Sequence, residues 1–204
     1  RVLNRSNVSV TMGTNFLDLS HTIESGMITY KGLPAPLICD YLSREKSREL
    51  YESGTEFQIG RIDMVANTGT YLDCPFHRYE DGHDLSELML ERCAHLAGIV
   101  IEVDYRSKKE IGRRFFENKD VKGKAVLVNT NWSTHWRTDM YFEDHPYLTE
   151  DAAIYLRDQG AVLVGIDSHN IDDTRNRNRP VHSTLLKSGI LIVEHLCNLH
   201  ALPK

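Results

Sequence analysis

The stretch that decides the fold is residues 149–166, which read TEDAAIYLRDQGAVLVGI. Thr149 is a residue type that caps helix N-termini, and the two acidic residues after it complement the helix dipole in the first turn. Gly160 stands where a helix ends, and the apolar run 161–166 follows as a strand. The stretch therefore predicts a helix followed by a buried strand, as in α/β proteins.

Further short runs rich in β-branched residues are suited to a buried sheet. They lie at residues 98–103, 125–128 and 189–193. Residues 57–65 alternate apolar with polar side chains, as a half-buried strand does, and residues 15–20 form a shorter candidate strand. Residues 42–53 are polar and favour a helix. We expect an α/β fold with a mixed central β-sheet or barrel-like core flanked by helices.

Length and composition indicate one globular domain over residues 1–204. Apolar residues make up 41% of the chain and charged residues 26%, which are ordinary values for a soluble protein. The net charge of −5 argues against a nucleic-acid partner, because phosphate binding usually requires a basic face. No window approaches the roughly 18 to 20 apolar residues of a membrane-spanning helix, and no export signal is recognisable. We therefore expect neither nucleic acid nor membrane as a partner.

The cysteines at positions 39, 74, 93 and 197 are widely separated and form no CxxC pair. This spacing argues against a zinc ribbon or a redox motif and favours reduced thiols. Since reduced thiols are typical of the cytosol, we predict a cytoplasmic protein.

Polar side chains are concentrated in residues 67–77, NTGTYLDCPFH. A carboxamide (Asn67), a phenol (Tyr71), a carboxylate (Asp73) and an imidazole (His77) surround a glycine and a proline. This composition suits a polar pocket better than an apolar core. The segment contains no nucleophile elbow, and the chain has no glycine-rich phosphate loop, so covalent catalysis and nucleotide binding have little support.

Two later side chains, His182 and Glu194, each stand beside apolar residues that would bury them. Together with Asp73 and His77 they offer the oxygen and nitrogen ligands that a divalent cation takes. Each residue also has a simpler explanation on its own. Asp73 could form a local turn, His77 could be a hydrogen-bonded histidine, and Glu194 could pair with a basic residue.

Several segments together resemble the cyclase family of metal-dependent hydrolases, which includes bacterial kynurenine formamidase and isatin hydrolase. Residues 67–77 fall on the family motif HxGTHxDxPxH. The other matching segments are LDLSHTI (17–23), GM (26–27), YKG (30–32), GIDS (165–168) and the segment that runs from PVH (180–182) through Glu194 to Leu199. The resemblance implies a swivelling β/β/α fold and a homo-oligomer, either a dimer or a tetramer.

The resemblance also implies roles for individual residues. Asp73, His182 and Glu194 match metal ligands of the family, and His77 matches its acid/base histidine. The first two histidines of the motif, which are metal ligands in binuclear members, are replaced here by Asn67 and Tyr71. Because two nitrogen donors are lost, we expect one divalent ion, Mn²⁺, Zn²⁺ or Mg²⁺, in place of a two-zinc centre.

The expected activity is an arylformamidase-like hydrolase acting on an amide, lactam, lactone or ester bond of a small cyclic or aromatic acyl compound. His77 would carry protons, and Tyr71 would stabilise the oxyanion or bind the metal as a phenolate. His21, Tyr30 and Asn67 would bind the substrate. The alternative is a member of the family that has lost its metal and binds a small molecule without turnover.

Overall fold

A computed structural model describes residues 16–203. The predicted strand residue Asn15 lies outside this range. The strands are β1 (Leu37–Leu42), β2 (Ile59–Asp63), β3 (Tyr71–Asp73), β4 (Gly98–Glu102), β5 (Glu110–Ile111), β6 (Ala125–Asn129), β7 (Tyr147–Leu148), β8 (Leu163–Ile166) and β9 (Leu191–Glu194), and the α-helices are α1 (Arg44–Ser47), α2 (Glu150–Asp158) and α3 (Pro180–Lys187).

A mixed five-stranded sheet with the order β3-β9-β8-β6-β4 forms the centre of the fold. β4, β6, β8 and β9 run parallel to one another, and β3 pairs antiparallel with β9 at one edge. The predicted α/β class with a mixed central sheet is confirmed. The sheet in residues 16–203 is open, with β3 and β4 at its edges, so the barrel-like alternative is wrong.

The core lies between the sheet and the helices α2 and α3. Ala153 and Leu156 of α2 and Leu185 of α3 are fully buried together with Val164 and Ile166 of β8. These apolar side chains recur at helical and strand spacing and leave water on folding, which is the main favourable contribution to stability. The packing fixes the position of α3, whose first turn belongs to the site described below.

Gly165 in β8 packs closely under two leucine side chains. A Cβ atom at this position would stand 2.6 Å from Cδ1 of Leu196 and 2.9 Å from Cδ2 of Leu127. A side chain here would therefore force these two leucines, one of which lies directly after β9, to repack.

Local structure agrees with the sequence in some segments and differs in others. Helix α2 begins after Thr149, and Gly160 ends the segment at a φ of +78°.

The predicted helix over 42–53 is reduced to the four residues of α1. The chain turns back there because the Ser47 hydroxyl accepts a hydrogen bond from the backbone N–H of Phe57. The predicted strand near residue 20 is wrong, since Ser20 makes only an isolated bridge to Leu196.

The ribbon formed by β1 and β2 exposes large apolar side chains, among them Tyr41 at 75% and Ile62 at 66%. A two-stranded ribbon by itself is marginally stable in water, and clustered apolar exposure is typical of interaction surfaces. The expected homo-oligomer stays a prediction, which the molar mass of the protein in solution would test.

Two further properties bear on the sequence predictions. Among the described residues, no helix combines the length and the hydropathy of a transmembrane segment. All four cysteines are free thiols, and Cys197 is buried.

Asp167, directly after β8, gives a prediction about stability and pH. Its Oδ1 accepts hydrogen bonds from the backbone N–H and the hydroxyl of Thr130, but burial outweighs these and raises the pKa of the carboxyl to about 6. Between the unfolded and the folded pKa, the unfolded chain releases this proton more readily, so the group lowers stability as pH rises through that window. Relative to the wild type, Asp167→Asn should gain roughly 1–2 kcal/mol in unfolding free energy between pH 4.5 and 6.5.

Urea denaturation of both proteins at the two pH values would test this. The buried histidines titrate in both proteins, so their contribution cancels in the difference. A difference that does not change with pH would show that Asp167 is ionised at its ordinary pKa.

Candidate metal centre and active site

The pairing of β3 with β9 brings the two distant polar segments together. In this antiparallel register Tyr71 lies opposite Glu194, and Asp73 lies opposite Ile192. Tyr71 and Asp73 share one face of β3 because side chains alternate along a strand. The chain then enters a short 3₁₀ turn over Pro75–His77, which places His77 beside Asp73. Residues separated by 123 positions thereby meet at one edge of the sheet.

His182 reaches the same point from helix α3. It lies in the first turn of this helix, which begins at Pro180. Its Nδ1 lies 2.6 Å from Oδ2 of Asp172, which also accepts the backbone N–H of His182 at 3.0 Å. Asp172 therefore fixes the orientation of the imidazole and leaves Nε2 facing Asp73 and Glu194.

Nε2 of His182 lies near one oxygen of Asp73 and one oxygen of Glu194, at distances too long for hydrogen bonds. Nε2 of His182 lies 3.7 Å from Oδ2 of Asp73 and 3.6 Å from Oε1 of Glu194. Oδ2 of Asp73 is buried and has no hydrogen-bond partner. Since metal–ligand bonds to nitrogen and oxygen are about 2.0–2.2 Å, two ligands of one ion lie about 3–4 Å apart. Nε2 of His182 therefore stands at the spacing of two ligands of one ion from Asp73 and from Glu194 alike.

His77 stands next to this group. Its Nδ1 lies 3.4 Å from Oδ1 of Asp73, and its side chain is 42% exposed. Among the described residues, Asp73, His77 and His182 each offer a ligand atom within 4.8 Å of the others, and this group does not include Glu194. The geometry thus allows His77 a ligand role in addition to the predicted role of proton carrier. The two oxygens of Asp73 serve different partners, one toward His77 and one toward His182.

Glu194 is fully buried and held by three donors. Its Oε1 accepts the backbone N–H of Ile171 at 2.6 Å, and its Oε2 accepts from the Tyr71 hydroxyl and lies 3.4 Å from the Asn170 amide nitrogen. Burial raises the pKa of this carboxyl, and the nearby His182 opposes the shift. A bound cation would lower the pKa of this carboxyl, as the nearby His182 does, and so favour its charged form.

Burial lowers the pKa of His182, but its hydrogen bond to Asp172 and the nearby carboxylates of Asp73 and Glu194 outweigh this and raise the pKa to about 10. An imidazolium thus balances the surrounding carboxylates when no metal ion is present. A metal ion would take the place of that proton, because ligating histidine must be neutral.

Tyr71 and Asn67 occupy the positions of the replaced family histidines. The pKa of the Tyr71 phenol is raised by burial and by the charge of Glu194, so the phenol stays protonated and donates to Glu194. This geometry favours a neutral donor over the phenolate ligand that the sequence analysis also considers. Nδ2 of Asn67 lies 3.4 Å from Oδ1 of Asp73. Both residues therefore support carboxylates of the site.

A cavity of about 320 Å³ opens beside these residues, a size suited to a small ligand. Its wall combines apolar and polar side chains: Tyr30, Leu33, Asn67, Tyr71, His77, Arg78, Asn170, Arg179, His182 and Glu194. The structure thus brings seven of the eight predicted site residues to one place, because Asp73 stands between His77 and His182.

His21 is the exception. Its ring stacks on Trp136 with centroids 4.0 Å apart, and it does not line this cavity. Burial lowers its pKa to about 4, so the ring is a neutral packing element. The predicted substrate contact of His21 is not supported by this placement.

Sequence reasoning missed residues behind and beside the site. Asp172 belongs to a polar loop that reads as surface, yet it is 1% exposed and holds His182. Asn170 is buried and contacts Glu194. The signal that could have found them is the run of hydrogen-bonding residues directly after β8, since polar residues at the end of a buried strand indicate a site.

A second group of buried histidines was also missed. His145, His169 and His195 lie close together, and the ring of His169 packs 4.5 Å from Tyr30 of the cavity wall. Burial lowers the pKa of His169 to about 3, so this ring is neutral. The group supports the cavity from behind.

Comparison with known proteins assigns the family. The cyclase family model matches residues 17–173, which include Asp73, His77 and Asp172, whereas His182 and Glu194 lie beyond the matched range. Because the match covers more than half of the chain, the protein belongs to the cyclase family. The resemblance seen in the sequence is confirmed.

Relatives of known family and solved structures align with most of the chain. A kynurenine formamidase of Bacillus cereus is 28% identical over 184 residues, which cover 90% of this chain and 82% of the relative. A solved structure of a potential metal-dependent hydrolase with cyclase activity is 26% identical, with a TM-score of 0.72, covering 92% of this chain and 84% of that one. Isatin hydrolase A of Labrenzia aggregata, bound to benzyl benzoate, has a TM-score of 0.77 at 19% identity and covers 92% and 82%, so it shows the fold alone.

Proposed function

We propose that this protein is a hydrolase that requires one divalent metal ion and cleaves the amide bond of a small aromatic or cyclic acyl compound, in the manner of an arylformamidase. Lactams, lactones and esters of similar size belong to the same class of substrates. The observation that carries the proposal is the buried Oδ2 of Asp73, which has no hydrogen-bond partner and faces Nε2 of His182. The names of the relatives support the choice of reaction.

Asp73, His182 and Glu194 would hold the ion, and Mn²⁺, Zn²⁺ and Mg²⁺ are the candidates. The ion would supply polarisation of the scissile carbonyl and acidification of water. Asp172 keeps His182 in the orientation that frees Nε2. Tyr71 and Asn170 hold Glu194. Hydrogen bonds from neighbouring residues therefore fix the orientation of these two metal ligands, His182 and Glu194.

Amide hydrolysis adds water across the C–N bond: oxygen bonds to the acyl carbon, the C–N bond breaks, and the leaving nitrogen gains a proton. His77 is the proton carrier in this proposal. It takes a proton from the attacking water and delivers it to the nitrogen, while Asp73 Oδ1 holds its Nδ1 in place. Its half-exposed position lets the imidazole face the cavity.

The experiment is a panel of aryl formamides, lactones and cyclic imides, assayed with each candidate metal. His77→Ala is expected to lower kcat by about 10²–10⁴-fold while keeping the metal content of the wild type. His83→Ala, an exposed histidine in the adjacent turn, is the matched control and should retain full activity.

Metal content separates the remaining possibilities. If His77→Ala loses the ion, His77 is a ligand and not a proton carrier. If the wild type binds no metal and hydrolyses nothing in the panel, the protein is instead a small-molecule binder of the same fold, as the replacement of two motif histidines by Asn67 and Tyr71 would allow.

A further inference from the structure

The cavity beside the candidate metal centre contains two guanidinium groups, those of Arg78 and Arg179. Within residues 16–203 neither group lies within 4.0 Å of a carboxylate. Arg175 in the same loop behaves differently, because it forms a surface ion pair with Asp173 at 2.8 Å. Of the three arginines in this loop, Arg175 and Arg177 are exposed, and Arg179 lines the cavity without an ion pair.

Arg179 is held in position by its surroundings. It is half-buried, and its Nη1 lies 3.3 Å from Oδ1 of Asn170. Asn170 turns its other side toward Glu194, with Nδ2 3.4 Å from Oε2. One carboxamide thus links the guanidinium to a candidate metal ligand, and a molecule at the metal would have the Arg179 side chain as its neighbour.

The backbone of Arg179 adds a second indication. Its φ of 48° and ψ of 59° lie in the left-handed region, and Pro180 follows at the first position of α3. A non-glycine residue in this conformation carries strain, and such strain is often found where a side chain must point into a binding site. An arginine therefore occupies a backbone position that favours glycine, directly before α3, and its side chain lines the cavity.

The charges around the cavity indicate which ligand group Arg179 would bind. Asp73 and Glu194 would repel an anionic ligand unless a cation compensates them, and a metal ion would be occupied by the reacting carbonyl. A guanidinium remains charged at all working pH values and matches a carboxylate with two parallel N–H donors. The apolar side chains of Leu33 and Tyr30 offer a surface for a ring on the same wall.

We infer that Arg179 binds a carboxylate on the substrate, which makes the substrate class a ring-bearing amide with an acidic substituent. The inference rests on the proposed hydrolase function and adds its specificity. Arg78 stands at the exposed mouth of the cavity, where its Nε lies 3.4 Å from the Ser183 hydroxyl, and contributes positive charge to entry. Arg179 is a specificity-determining residue and takes no part in bond breaking.

The test compares 2-formamidobenzoate with its neutral counterpart 2-formamidobenzamide. The wild type should favour the acid by about tenfold or more in kcat/KM, and Arg179→Gln should lose about 10–100-fold on the acid, as expected for a charge-assisted hydrogen bond. The same variant should stay within about threefold of the wild type on the amide. Arg179→Asn removes the charge with a residue that tolerates the left-handed backbone, so it guards against misfolding of the glutamine variant. Arg177→Gln, exposed in the same loop, is the control.

Equal loss on both compounds, or no preference in the wild type, would overturn the inference while leaving the hydrolase proposal intact. If neither compound is hydrolysed, calorimetric titration of the protein as purified, with its bound metal ion retained, with benzoate and benzamide tests Arg179 separately. A benzoate preference that disappears in both Arg179 variants supports the carboxylate site without turnover. Absence of that preference in the wild type refutes it.

Discussion

Replacing Asp73 by Asn should remove the bound metal ion and lower kcat/KM by about 10³-fold or more, equivalent to about 4 kcal/mol of transition-state stabilisation. One oxygen of Asp73 faces His182 without any hydrogen-bond partner, and the other lies 3.4 Å from His77. The substitution keeps the size of the side chain and removes the negative charge that an ion requires. Its effect should therefore fall on metal binding and not on the fold.

Elemental analysis of the purified protein and circular dichroism measured together would check this prediction. Asp81→Asn, an exposed residue in the turn that follows His77, is the matched control and should keep both metal and activity. A variant of Asp73 that retains one equivalent of metal and normal turnover would remove the candidate centre from this edge of the sheet.

Replacing Asp172 by Asn should weaken metal binding by about 10–100-fold, because the residue acts through His182. The carboxylate accepts Nδ1 of His182 at 2.6 Å and the backbone N–H groups of Val181 and His182. An amide in its place accepts fewer of these hydrogens, so the ring loses its fixed orientation and part of its basicity. The ion is expected to remain at saturating metal concentration, with reduced kcat/KM.

A competition titration with a metal-binding dye gives the affinity directly. Asp173→Asn is the matched control at the adjacent residue. The Asp173 carboxylate pairs with Arg175 at the surface and should contribute little to metal affinity. If both variants lose affinity equally, the loop as a whole and not the contact between Asp172 and His182 is responsible.

The central sheet could be predicted from the sequence because its strands are short, apolar and bounded by breaks in the pattern. The bounds of β4, β6, β8 and β9 lie within two residues of their predicted bounds. β3 could not be predicted as a strand, because three residues with a polar pattern form a strand only when β9 pairs with them. Helix α3 was missed because Pro180 and a histidine at its start resemble a loop.

The candidate site was predictable in its members and not in its geometry. Asp73, His77, His182 and Glu194 combine titratable chemistry with neighbours that bury them, and this pattern is visible in one dimension. The distances between them depend on the antiparallel register of β3 and on the packing of α3. Asp172 and Arg179 escaped notice because a loop with five charged residues between 172 and 179 looks solvated, and only the tertiary structure separates its buried from its exposed members.

The place of β9 between β3 and β8 has a consequence for synthesis on the ribosome. Among the described strands β3 pairs only with β9, so β3 has no partner in the sheet until Leu191–Glu194 has been synthesised. β9, the most C-terminal of the described strands, lies in the interior of the sheet and carries Glu194, so the ligand set is incomplete until β9 is in place. Assembly of the ion site should therefore await the pairing of β3 with β9, and folding should be slow because it depends on such distant pairing.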